Sequence, residues 1–213
     1  MAGALSRREM LKRAAAVSAA TAVPRYALAQ ARGEPYANLT AAEAKTLEAV
    51  VARLIPSDEN GPGALEAGAT RYIDRALGDA LAGAREVYSA GLATLETYAQ
   101  RAADRSFADL EPARQDQVLE DLEQNTAAGF APDSATFFNL VLAHTIEGTF
   151  GDPHYGGNRD FIGWELIGYP GIRLAVSEEQ QRMNAELTPT RVSAYDLSMF
   201  DADAPHAGDH DDG

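Results

Sequence analysis

The sequence predicts an all-α protein: a single helical domain of about five to six helices, with a glycine-rich loop and an extended C-terminal tail. Three observations carry this expectation. Apolar residues recur at helical spacing through successive stretches that proline and glycine close off. No comparable run alternates apolar and polar residues with period two, the pattern of a half-buried sheet. The 213 residues show no internal repeat, and 46% of them are apolar, enough for one core with tails.

The expected organisation is an export signal over residues 1–29, the helical domain over 30–200 and a disordered acidic tail over 201–213. Ser6-Arg7-Arg8-Glu9-Met10-Leu11-Lys12 fits the twin-arginine pattern. An alanine-rich run over residues 14–23 follows, too short to span a bilayer, and Ala27-Leu28-Ala29 has the small-x-small form of a cleavage site. Cleavage is expected before Gln30; the competing reading is an uncleaved amphipathic helix. The twin-arginine route carries folded proteins, whereas a cysteine-free helical domain could cross unfolded. The signal therefore implies a second protein, folded around a cofactor, that travels with this one.

The formal net charge is −14, and the basic signal makes the mature chain more acidic still. Such a surface repels nucleic acid and anionic lipid, so neither is expected as a partner. The absence of cysteine excludes disulfides, thiolate catalysis, cysteine-ligated iron–sulfur clusters and covalent c-type haem in this chain.

Thr40-Ala41-Ala42-Glu43 is a capping box that opens the first helix, carried by Leu47, Val50, Val51, Leu54 and Ile55 and ended by Pro56. Residues 57–63 form a solvated turn; Asp58 and Glu59 lack the ligand spacing of a calcium loop. A second helix is expected over residues 64–77, with Leu65, Ala69, Tyr72, Ile73, Ala76 and Leu77 inward. A third, over 80–103, is expected to bury Val87, Leu92, Leu95 and Tyr98. Ala90, Gly91 and Ala93 would admit a close neighbour, and Tyr88 and Tyr98 would lie at the core edge. Pro112 starts a fourth helix through Val118, Leu119 and Leu122. Asp133 or Ser134 caps the fifth and most apolar, with Phe137, Phe138, Leu140, Val141, Leu142 and Ile146, which is expected to be central.

That helix delivers the chain into residues 150–171, FGDPHYGGNRDFIGWELIGYPG, which hold six of the 18 glycines and the single tryptophan. Asp152 precedes Pro153 and so leaves the α region, ending the fifth helix by Gly151. Gly156 and Gly157 permit a reversal. Asn158 is expected to cap a helix over 159–167, with Asp160 in its first turn and Phe161, Trp164 and Gly168 at spacings of three and four. Two readings compete: a structural turn packed into its own core, or a docking surface formed by Asp152, Pro153, Tyr155, Gly156, Gly157, Asn158, Trp164 and Tyr169.

His144 and Glu147, three apart on the fifth helix, together with Asp152 and His154, have the donor types of a metal site. A ferritin-like centre needs Glu-x-x-His on two helices, and this chain has one His-x-x-Glu. The favoured reading is a hydrogen-bonded core His144 and a loop-tying Glu147. No nucleophile elbow, phosphate loop or dinucleotide fingerprint is present, so no cofactor is expected in this chain. Beyond residue 171 an extended region ends in Tyr195, Leu197, Met199 and Phe200, apolar residues expected to pack on something.

Asp152-Pro153, Tyr155-Gly156-Gly157-Asn158, Gly163-Trp164 and Gly168-Tyr169-Pro170-Gly171 resemble the signature of the gluconate 2-dehydrogenase subunit 3 family. The resemblance implies a small, cofactor-free, non-catalytic subunit of a periplasmic FAD-dependent sugar or sugar-acid dehydrogenase. FAD and the chemistry would belong to a large subunit, and haem c to a multi-haem cytochrome c subunit. The small subunit would supply the twin-arginine signal and assist maturation, with membrane association only through the complex. The resemblance carries over no catalytic residue. Two alternatives remain at this point: an independent periplasmic metal-binding helical enzyme using His144, Glu147, Asp152 and His154, and a stand-alone helical binding protein.

Overall fold

The computed structural model describes residues 35–197 and Met199; the expected signal over 1–29 and the acidic tail over 201–213 lie outside the described residues. Among the described residues there are seven α-helices: α1 (Ala41–Leu54), α2 (Ala64–Ala67), α3 (Ala69–Ala76), α4 (Arg85–Ala103), α5 (Pro112–Glu123), α6 (Ser134–Phe150) and α7 (Ile162–Leu166). Among the described residues there is no strand, only an isolated bridge between Asp58 and Gly61.

The capping box at α1 forms as expected: Thr40 Oγ1 accepts from Glu43 N, and Glu43 accepts from Thr40 N. The Glu43 carboxylate also takes both arms of Arg85 at the start of α4. Burial pushes this carboxyl up, but the Arg85 and Thr40 hydrogen bonds prevail and hold it down at about 2.

The expected second helix is broken in two. Gly68 takes the left-handed conformation (φ 83°), ending α2 and starting α3. Buried Asp74 on α3 then accepts from the backbone N–H of Ala37, Asn38 and Leu39, pinning the segment that leads into α1.

Helix α4 starts later than expected, because residues 82–84 form a 3₁₀ turn. Its buried stripe runs through Tyr88, Gly91, Leu92, Leu95 and Ala99. Tyr88 is therefore fully buried rather than at the core edge, and Val87, off that stripe, is exposed. The expected close approach occurs at Gly91, where a Cβ would stand 2.1 Å from the Phe137 ring of α6.

Helix α6 is central: it packs on α3 and α5, and also touches α1, α2 and α7. Phe137, Phe138 and Val141 join the core, while Ile146 turns outward. The buried face of the last turns is small and polar instead. Thr145 and Thr149 satisfy their hydroxyls on the carbonyls four residues back, and Gly148 lies flat against α3.

Candidate functional site

A helix C-terminus leaves backbone carbonyls without partners, and residues 151–164 exist largely to satisfy those of α6. Gly151 N donates to Glu147 O at 2.8 Å, and Asn158 N to Gly148 O at 2.7 Å. The Trp164 indole N–H reaches Phe150 O at 2.9 Å. The Asn158 amide donates to Gly151 O at 2.8 Å and accepts from Gly163 N at 2.8 Å, clamping both ends of the loop. Gly157 is pressed against α6 so closely that a Cβ would meet Gly148 O at 2.0 Å.

These roles correct the expected helix over 159–167. Asn158 is itself left-handed (φ 42°), and its amide is spent on the clamp instead of a cap. Asp160 and Phe161 are also left-handed, residues 159–161 form a 3₁₀ turn, and the α-helix shrinks to Ile162–Leu166.

Before that clamp, Asp152 accepts from His154 N at 2.9 Å and organises the single turn Pro153–Tyr155. Its carboxylate also receives the C-terminal segment, through Ser193 Oγ at 2.5 Å and Ala194 N at 2.9 Å. Burial pushes the Asp152 carboxyl up, yet these donors outweigh it and hold it below the usual carboxylate range. The Tyr195 ring stacks on His154 with centroids 3.9 Å apart, and its hydroxyl bonds the Tyr155 hydroxyl. Ser193 and Tyr195 are absent from the sequence-derived site. The signal that could have found them is the Ser-x-x-Asp box of Ser193 and Asp196, which forms here.

All eight residues of the expected docking surface lie in this one loop cluster, at different depths. Gly157, Asn158 and Trp164 are buried, the last beneath Phe161 and Tyr169. Asp152 and Pro153 are half-buried. Tyr155, Gly156 and Tyr169 face outward.

The four candidate metal donors are not brought together. Buried His144 is hydrogen-bonded through Nδ1 to the Tyr88 hydroxyl at 2.9 Å, and burial lowers its pKa against the opposing pull of Glu147. Glu147 accepts from the Tyr72 hydroxyl at 2.9 Å, and burial together with this bond pushes Tyr72 up to about 12. Asp152 holds the C-terminal segment, and His154 stacks on Tyr195. Among the described residues no group of three or more His, Cys, Asp or Glu is placed to hold a metal ion.

Compared with known proteins, residues 41–171, from the first turn of α1 to the last glycine of the loop, match the family model described as gluconate 2-dehydrogenase subunit 3. No curated protein and no solved structure matches the chain significantly.

Proposed function

The chain belongs to the gluconate 2-dehydrogenase subunit 3 family, and from that membership we propose that it is the non-catalytic small subunit of a periplasmic FAD-dependent dehydrogenase of gluconate-type sugars or sugar acids. In this reading the large subunit holds FAD and performs the oxidation, and a cytochrome c subunit takes the electrons. The small chain, through Arg7 and Arg8, escorts the flavoprotein through the twin-arginine route and assists its maturation. Any membrane association runs through the complex; no described helix is long and apolar enough to cross a membrane.

The observation that carries the reading is the family match over α1 to Gly171, ending in a loop whose Asn158 and Trp164 side chains are committed to backbone. Asn158 and Trp164 hold the loop in shape, while Tyr155 and Tyr169 are left on its surface, amphipathic side chains of the type enriched at interfaces. Among the described residues no strand leads into a phosphate-binding helix N-terminus, the arrangement of the doubly wound dinucleotide fold.

The test is isolation of the chain from the periplasm with its native flavoprotein. Flavin and dye-reducing activity should reside in the large subunit and be absent from this chain alone. Tyr155→Ala should weaken the association about tenfold or more while the melting temperature of the isolated chain stays within a few degrees. An unchanged association would remove Tyr155 from the interface, and a chain that binds no flavoprotein would end the small-subunit reading.

A further inference from the structure

Helix α4 meets the central helix α6 through aromatic rings, and Tyr88 joins two turns of that helix. It meets the edge of Phe137 with centroids 6.3 Å apart and stacks on His144 with centroids 5.9 Å apart. Tyr88 is fully buried, and among the described residues its hydroxyl has one partner, His144 Nδ1 at 2.9 Å.

That single bond fixes where the protons sit. A buried phenol with one partner satisfies its O–H only if that nitrogen accepts, so neutral His144 keeps Nδ1 bare and carries its proton on Nε2. Burial pushes the Tyr88 phenol up, and its hydroxyl therefore stays protonated. His144 Nε2 is not among the polar atoms sealed from solvent, and the residue is 7% exposed.

Proton uptake undoes this arrangement. A proton on Nδ1 makes that nitrogen a donor; the Tyr88 oxygen can still accept from it, but the Tyr88 O–H is then left in the core without an acceptor. The imidazolium is itself disfavoured by burial, and Glu147, one turn further along α6, is the charge that opposes this. The Glu147 carboxylate is meanwhile held by the Tyr72 hydroxyl of α3, and no other charged group among the described residues pulls on His144. One turn beyond His144, the Gly148 carbonyl takes the Asn158 N–H and so carries the loop.

We propose that the Tyr88–His144 pair is an acid-sensitive switch: uptake of one proton by His144 breaks the pair, loosens α4 from the second half of α6 and weakens the helix end from which residues 151–164 hang. The switch is built from the core of this chain alone and needs no partner. Burial lowers His144 below its ordinary 6.5, so the stabilisation is full above that value and is lost as pH falls below it toward the lower, folded value.

The test follows the unfolding equilibrium of the full-length chain between about pH 7.5 and about pH 5.5. His144→Asn keeps an acceptor near the Nδ1 position and does not titrate. Over that interval the unfolding constant of wild type should rise more than that of this variant, by up to about tenfold, the limit for one proton. The other histidines are common to both chains and cancel. Tyr88→Phe leaves no hydroxyl to strand, so its pH dependence should fall below that of wild type. Nitrogen NMR of the wild type, which depends on no variant folding, should find Nδ1 unprotonated at neutral pH and His144 titrating below 6.5. Equal pH dependence in wild type and His144→Asn overturns the switch. Wild-type pH dependence in Tyr88→Phe assigns the effect to burial of the imidazole alone and overturns the pair. A protonated Nδ1 at neutral pH, or titration at or above 6.5, overturns it as well.

Discussion

Asn158 shows at the scale of one residue how the loop is held. Its side chain satisfies one carbonyl and one N–H that are otherwise stranded, and its own N–H satisfies a third group, all without exposure to solvent. Asn158→Ala strands Gly151 O and Gly163 N, a cost of about 2–4 kcal/mol. The midpoint of a thermal melt should therefore fall by roughly 5–15 °C. A drop of a degree or less would mean that the clamp contributes little. From sequence, Asn after Gly-Gly before an acidic residue reads as an N-cap. The carbonyl that claims its amide, Gly151 O, lies seven residues back along the chain, and the N–H it accepts, that of Gly163, lies five ahead, beyond the two or three residues that capping spans. Asp152 offers a second test at this scale. Its folded pKa lies below the ordinary 3.8, so the stabilisation of the Ser193–Ala194 contact is full above that value. It is lost as pH falls below 3.8 through the lower, folded value. Hydrogen-exchange protection of the Ala194 amide, corrected for intrinsic rate, should thus be flat from neutrality to about pH 5 and collapse under stronger acid. Loss of protection near neutral pH would contradict the assignment of this carboxylate as the anchor.

Among the elements, α6 and its neighbours depend on what glycine omits. A Cβ at Gly148 would stand 2.9 Å from both the Ala69 Cα and the Tyr72 Cβ on α3. At Gly83, on an exposed turn, it would meet nothing within 4 Å. Gly148→Ala should therefore destabilise by about 1–3 kcal/mol despite the helix preference of alanine. Gly83→Ala should be neutral or slightly stabilising. Chemical denaturation of the two variants checks the opposed outcomes, and equal effects would show that α3 and α6 are not in tight contact. Helix existence and order were legible, because caps such as Thr40 and Pro112 and the stripe of Leu92, Leu95 and Ala99 are local signals. The break at Gly68 and the inward phase of Tyr88 were not. Gly68 sits inside an unbroken helical pattern, and only the packing of α3 on α6 requires the turn there. Val87 and Tyr88 are both plausible core residues until Gly91 and Phe137 fix which face of α4 points in.

The described domain is a helical frame around α6 that carries at its surface a loop held by Asn158 and Trp164, two exposed tyrosines and a C-terminal segment fastened through Asp152. Family membership was legible in residues 152–171, since that motif encodes the closure of the α6 terminus. The division between its buried and exposed members was not, because Trp164 and Tyr155 look alike as aromatic anchors until the Phe150 carbonyl is found to hold the indole. In the proposed function this chain escorts and serves a flavoprotein instead of performing chemistry itself. That role is tested most directly by replacing Arg7 and Arg8 together with lysine in the native host and assaying the periplasmic and cytoplasmic fractions for the flavoprotein and its dye-linked dehydrogenase activity. Both this chain and the flavoprotein should be retained in the cytoplasm, with periplasmic activity lost. Normal periplasmic activity with this chain alone retained would refute the escort role.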